Sequence, residues 1–170
     1  MAPESKKKSK PGAKAKAHAK AKSELPQDPY ERSAALYNAA ADGQAGMMLE
    51  LLELGIDVNA RVNGDTALSV ACRFGNNDCV KMLLDHDANV ITTTAGGSTA
   101  LHAASLWGRV ECVKLLLAAG ASVNTKFGGR TSLQMAQQRP HSAYDGTKGA
   151  GVVSHTKYAK CAKLLEAASA

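Results

Sequence analysis

Aromatic residues are nearly missing from this 170-residue chain, which has one Trp, two Phe and four Tyr. Strands favour aromatic and β-branched side chains, so this composition suits a sandwich or barrel poorly. Long apolar runs are also missing. No window approaches the roughly 18 apolar residues of a membrane span, and no hydrophobic stretch follows the N-terminal lysines as a secretory signal requires. The four cysteines, Cys72, Cys79, Cys112 and Cys161, form no CxxC pair and no short disulfide ladder. The expectation is a soluble protein of a reducing compartment, cytoplasmic and/or nuclear, with no membrane partner. The sequence also lacks a nucleophile–base spacing, a cleft-forming pair of carboxylates and a metal-ligand cluster. It is read as a non-enzyme with no catalytic, cofactor-binding or metal-ligating residue.

What is present is charge, unevenly placed. Residues 1–22 hold eight lysines and one acid, so the net charge of +6 belongs to this segment. Residues 23–87 carry four bases against eleven acids, and residues 88–170 carry nine bases against three acids. The folded part is therefore dipolar, acidic at its start and basic at its end, a field that steers encounters without naming a fold.

An internal repeat organises the rest. Thr66-Ala-Leu-Ser-Val-Ala-Cys-Arg-Phe-Gly75 aligns with Thr99-Ala-Leu-His-Ala-Ala-Ser-Leu-Trp-Gly108 at an offset of 33. The match continues from Asp78-Cys-Val-Lys-Met-Leu-Leu84 to Glu111-Cys-Val-Lys-Leu-Leu-Leu117. Leu36, Ala39, Gly43, Leu51, Leu52 and Val58 repeat the pattern upstream, and Thr131-Ser-Leu-Gln-Met-Ala136 restarts it downstream. Its second half, Lys160-Cys-Ala-Lys-Leu-Leu165, comes late because residues 140–156 are inserted.

Each unit predicts two short helices. Thr99 offers an N-cap oxygen, Leu101, Ala104 and Ser105 share one stripe, and Gly108 ends the first helix. Cys112, Val113, Leu116 and Leu117 form the stripe of the second, and Gly120 allows a left-handed exit. Helices this short are marginal alone, so stacking on neighbouring units must stabilise them.

The pattern Thr-x-Leu-x-x-Ala, Gly, Val-x-x-Leu-Leu, Gly-Ala-x-Val-Asn resembles the ankyrin-repeat family over about residues 30–168. The resemblance implies an all-α solenoid of about four helix-turn-helix repeats with β-turn fingers, preceded by a disordered basic tail. The expected boundaries are a tail at 1–29 and a domain at 30–170. Within the domain they are a capping repeat at about 33–60, repeats at 61–93 and 94–126, and a last repeat at 127–170 containing the insertion. Departures from the family pattern are Ala67, Ala100 and Ser132 in place of its proline, and Asp87 in place of its glycine. Losing proline at the first helical position points to modest stability. Glu50, Glu53 and Asp57 at one end, and Lys157, Lys160 and Lys163 at the other, read as polar caps.

The family's fingers and first helices line a concave surface that grips protein partners, and the large side chains map there. Trp107 and Phe74 each follow an inner leucine by six positions, about 240° round a helix, beside Leu106 and Arg73. Phe127 falls in a finger with Arg130. Arg61, Asn63, Asp65 and Arg139 complete the predicted partner-binding set. Aromatics flanked by arginine are typical of interface hot spots; the alternative is that Trp107 and Phe74 cover each other. A monomer binding a protein partner follows. The cysteines read as buried, inert thiols spread along successive repeats, and His102 as an inter-repeat hydrogen-bonding residue. Asp57-Val-Asn59 and Ser122-Val-Asn124 read as structural turns, and Gly146–Gly151 as a flexible loop that lacks the ending of a phosphate cradle.

The lysine-rich segment cannot form a core. Lys6, Lys7, Lys8 and Lys10 resemble a nuclear-import signal, and the Ala-Lys alternation after them resembles linker-histone tails. Three readings stay open: solvated ballast, nuclear import, or a non-specific nucleic-acid tether. The last would make the chain a nuclear or ribosome-associated regulator.

Overall fold

The computed structural model describes residues 28–138 and 155–169. Among these residues eight helices follow one another: α1 (Pro29–Asp42), α2 (Ala45–Glu53), α3 (Ala67–Phe74), α4 (Asn77–Asp85), α5 (Ala100–Leu106), α6 (Val110–Ala118), α7 (Ser132–Gln138) and α8 (His155–Ser169). Two antiparallel ribbons interrupt them, β1 (Arg61–Val62) with β2 (Asp65–Thr66), and β3 (Lys126–Phe127) with β4 (Arg130–Thr131). The first helices α1, α3, α5 and α7 stack in one layer, and α2, α4, α6 and α8 stack in a second. Every first helix also packs on its own second helix, so the all-α solenoid is present.

Local chemistry explains each start and stop. At α1, Asp28 accepts from the Tyr30 N–H at 2.8 Å, and Pro29 occupies the first turn. At α3, Thr66 and Ser69 form a reciprocal capping box. Thr99 and His102 do the same at α5, and Thr131 pairs with Gln134 at α7. Three different residue types at the third helical position thus serve one device. At α3, α5 and α7, where Ala67, Ala100 and Ser132 replace proline, these side-chain caps fix the start of the helix.

The ribbons are two-residue hairpins. Asn63 and Gly64 have φ of 53° and 84°, and Gly128 and Gly129 have 57° and 77°. Positive φ at both central residues is the type I′ pattern, whose twist matches the flanking strands. The finger between them is looser: Thr93 bridges Thr99, and the Thr94 N–H donates to Ser98 at 2.7 Å. Adjacent fingers are joined, because the Ala95 N–H donates to the Gly64 carbonyl at 2.8 Å.

The core lies between the layers. Leu36, Leu68 and Leu101 from first helices meet Met48, Val80, Leu83, Val113, Leu116 and Leu165 from second helices. The expected caps are partly corrected at the first repeat. Glu50, Glu53 and Asp57 are exposed, but so are Met47 and Leu49 beside them. Two boundaries also move slightly. Helix α1 starts at Pro29, and α8 starts at His155, inside the span assigned to the insertion. Among the described residues no helix is long and apolar enough to cross a membrane.

Candidate partner-binding face

The predicted binding residues fall into two groups, separated by the length of the first helices. The first group is at the fingers. Arg61 is exposed on β1, and Asn63 sits at the hairpin tip, where it accepts from the Tyr30 hydroxyl at 3.1 Å. Asp65 forms an ion pair with Arg73, whose side chain reaches back from the last turn of α3. Both groups are partly exposed, so this pair orders the face more than it stabilises the fold. On the next ribbon Phe127 stands opposite Arg130. Arg130 is exposed and Phe127 half-buried, with its ring edge-on to His102 at a centroid distance of 6.0 Å.

The second group lies at the other end of the helices. Phe74 closes α3, Leu106 closes α5, and Trp107 is the C-cap of α5. A seven-residue helix rises about 10 Å, so this cluster does not merge with the fingers. All three side chains are half-buried, and Phe74 packs on the margin of the core. The Leu106 carbonyl accepts from the Tyr158 hydroxyl of α8 at 3.3 Å. Arg139, the tail lysines Lys6, Lys7, Lys8 and Lys10, and Gly146–Gly151 lie outside the described residues.

One residue of this face escaped sequence reasoning. Tyr30 is 51% exposed, more open than the half-buried Phe74, Trp107 and Phe127, and its hydroxyl holds the tip of the first finger. It precedes Asn63 by 33 positions, one repeat length, which was the available signal.

His102 ties the face together. Its Nδ1 accepts from the Thr99 N–H at 3.2 Å, so the proton sits on Nε2, which donates to the Thr125 carbonyl at 3.0 Å. Burial holds the imidazole below its ordinary pKa, against smaller opposing effects from backbone bonds to Thr125 and Arg130. Asn59 has a similar structural role: its Oδ1 accepts from the Asn89 N–H of the next repeat at 2.8 Å.

The cysteines are all free and buried, but they are not simply spread out. Cys112 interacts electrostatically with Cys72 of the previous first helix and donates to Asn77 Oδ1 at 3.2 Å. Burial pushes the Cys72 thiol well up, and it pushes Cys161 up to about 11. The neighbouring Cys72 thiol holds Cys112 below its ordinary value, against burial. The periodic view missed this because Cys72 belongs to the other helical layer. Among the described residues no group of three or more His, Cys, Asp or Glu is gathered to hold a metal.

Comparison with known proteins agrees with this architecture. A family model for ankyrin repeats (3 copies) matches residues 16–94, 36–127 and 91–143. Over 63 residues the chain is 40% identical to a probable E3 ubiquitin-protein ligase, XBOS32, of Oryza sativa subsp. japonica, covering 36% of this chain and 13% of that protein. Over 61 residues it is 41% identical to the ankyrin repeat domain-containing protein SAT10 of Stachybotrys chartarum, covering 36% of this chain and 3% of that protein. The chain therefore spans only a small part of either relative.

Proposed function

The chain belongs to the ankyrin-repeat family, and on that footing we propose that it is a non-enzymatic interaction module that grips a protein partner along its row of fingers. The family makes it a module for protein–protein interaction. The finer reading is the place of contact. One observation carries it: the first two fingers are hydrogen-bonded to each other through Ala95 and Gly64, and Arg61, Asn63, Lys126 and Arg130 on the hairpin fingers are exposed, as is Tyr30 at the start of α1, whose hydroxyl bonds Asn63.

This row has the make-up of an interface centre. Tyr30 supplies an aromatic ring whose position is held by Asn63, and Phe127 is backed by His102. Rings pre-set in this way lose little freedom on binding. Arginines at both ends of the row give charge steering. The half-buried Phe74 and Trp107 extend the same layer toward its far end and form a secondary anchor.

The test is affinity capture with the wild type beside two double variants, Tyr30→Ala/Phe127→Ala and Phe74→Ala/Trp107→Ala, with thermal melts of each. Loss of the captured proteins from the finger variant, with its melting temperature little changed, supports the reading. If the finger variant keeps every captured protein, the fingers are not the contact surface.

A further inference from the structure

A cavity of about 620 Å3 opens between α4, α6 and α8, at the opposite end of the helix pairs from the fingers. This placement follows from the topology: first helices run away from the fingers, and the turns at Gly75 and Gly108 bring the chain back. Its wall includes Arg109, Glu111, Lys114, Lys157, Lys160 and Lys163. Five bases therefore meet one acid, and that acid, Glu111, is already engaged by Lys114 at 2.8 Å.

The α8 lysines are exposed, as expected of a polar cap. They also line the cavity shared with the preceding repeat. Spaced at i, i+3 and i+6 they lie on one face, while Tyr158, Cys161 and Leu165 bury the other. Among the described residues none of the three pairs with a carboxylate. Like charges at this spacing repel along a helix, a cost that keeping a surface wet does not require. Across the cavity, α6 begins at Val110, and its N-cap residue Arg109 contributes no side-chain cap. The positive end of the helix and its first-turn N–H groups therefore face the same space.

We propose that this cavity binds a compact polyanion carrying clustered phosphate groups. The volume is in the range of small-molecule sites. Lysine ammonium groups act as point charges that donate to phosphate oxygens from many directions. The one arginine is committed: its Nε donates to the Arg73 carbonyl at 3.1 Å, and its stem crosses Gly75, where an added Cβ would meet Cδ at 2.7 Å. A long nucleic acid fits less well. A strand leaving the cavity along the solenoid would meet residues 23–87, where eleven acids outnumber four bases, and polyanion binding needs a continuous basic track.

The test is calorimetric titration of the full chain with inorganic triphosphate at low and physiological salt. One-site binding is expected. The triple variant Lys157→Gln/Lys160→Gln/Lys163→Gln should weaken it about tenfold or more, and Lys6→Gln/Lys7→Gln/Lys8→Gln/Lys10→Gln should leave the site in place. Amide shifts of Val110 and Glu111 on adding triphosphate to the wild type locate the site without any variant. Three results would overturn the proposal: no binding by the wild type, loss in the tail variant while the α8 variant binds normally, or tighter binding of a single-stranded oligonucleotide or an acidic peptide of equal charge. The Tyr30→Ala/Phe127→Ala variant should bind triphosphate normally, so this site and the finger face stand or fall separately.

Discussion

His102 Nε2 lies 3.0 Å from the Thr125 carbonyl, so one side chain caps the start of α5 and fastens the strand entering the next finger. The two bonds together require the neutral ring with its proton on Nε2, because Nδ1 must keep its lone pair to accept from the Thr99 N–H.

This arrangement makes stability depend on pH. Burial lowers the folded-state pKa below the ordinary 6.5, so as pH falls the unfolded chain takes up the proton first. The contribution is fully present above about pH 6.5 and is lost as pH falls from there through the folded value. The melting temperature should therefore drop from pH 7 to pH 5. His102→Gln, which copies the Gln134 cap of α7, should flatten that drop. Parallel curves for wild type and variant would remove His102 as the source.

Asp87 adopts φ of 61° where the equivalent Gly55 and Gly120 have 80° and 82°. A side chain in this left-handed region carries strain of order 1 kcal/mol, partly offset by the greater entropy glycine loses on folding. Asp87→Gly should stabilise the fold by about 0.5 kcal/mol, seen as a melting temperature about 2 °C higher. A lower melting temperature would mean that the Asp87 side chain contributes more than its backbone costs.

Asn76 Nδ2 donates to the carbonyls of Ala40 and Ala41, both at 2.8 Å, and its side chain lies 3.2 Å from where a Cβ on Gly43 would be. It thereby satisfies the end of α1 from the neighbouring repeat. Because repeats couple mainly to their neighbours, Asn76→Ala should cost about 1–3 kcal/mol and release α1 and α2 first. Hydrogen exchange should show faster amides there while α5 and α6 keep their protection. Uniform loss across the chain would contradict this local coupling.

The four thiols are buried and free, and Cys72, Cys79 and Cys161 have raised pKa values led by burial. Thiolate is the reactive form, so native protein at pH 8 should react with a disulfide reagent only at the rate of opening. A fast-reacting thiol would point to Cys112, the one whose pKa is lowered.

Much of the fold was legible in the sequence because its signals are short in range. Thr66 and Thr99 act on residues three positions away. Asn63-Gly64 and Gly128-Gly129 set their turns through their own φ angles. The Leu and Val stripes follow from helical geometry within nine-residue segments. Asp87 was readable as a departure, and its positive φ follows from the position it shares with two glycines. The proposed binding face was less legible. Phe127 and Arg130 do meet at one finger, but angular position round a helix did not reveal that Phe74 and Trp107 belong to the far end.

By itself the sequence determined the repeat length, the caps, the turns and the apolar stripes, since each is decided by residues within a few positions of one another. Tertiary structure alone decided which side chains meet across repeats. Examples are Cys72 with Cys112, Asn76 with the end of α1, and the lysines of α8 with the start of α6. These contacts depend on how far each repeat slides and rotates on the next, and that is settled by packing between layers, which a period within one chain segment does not encode.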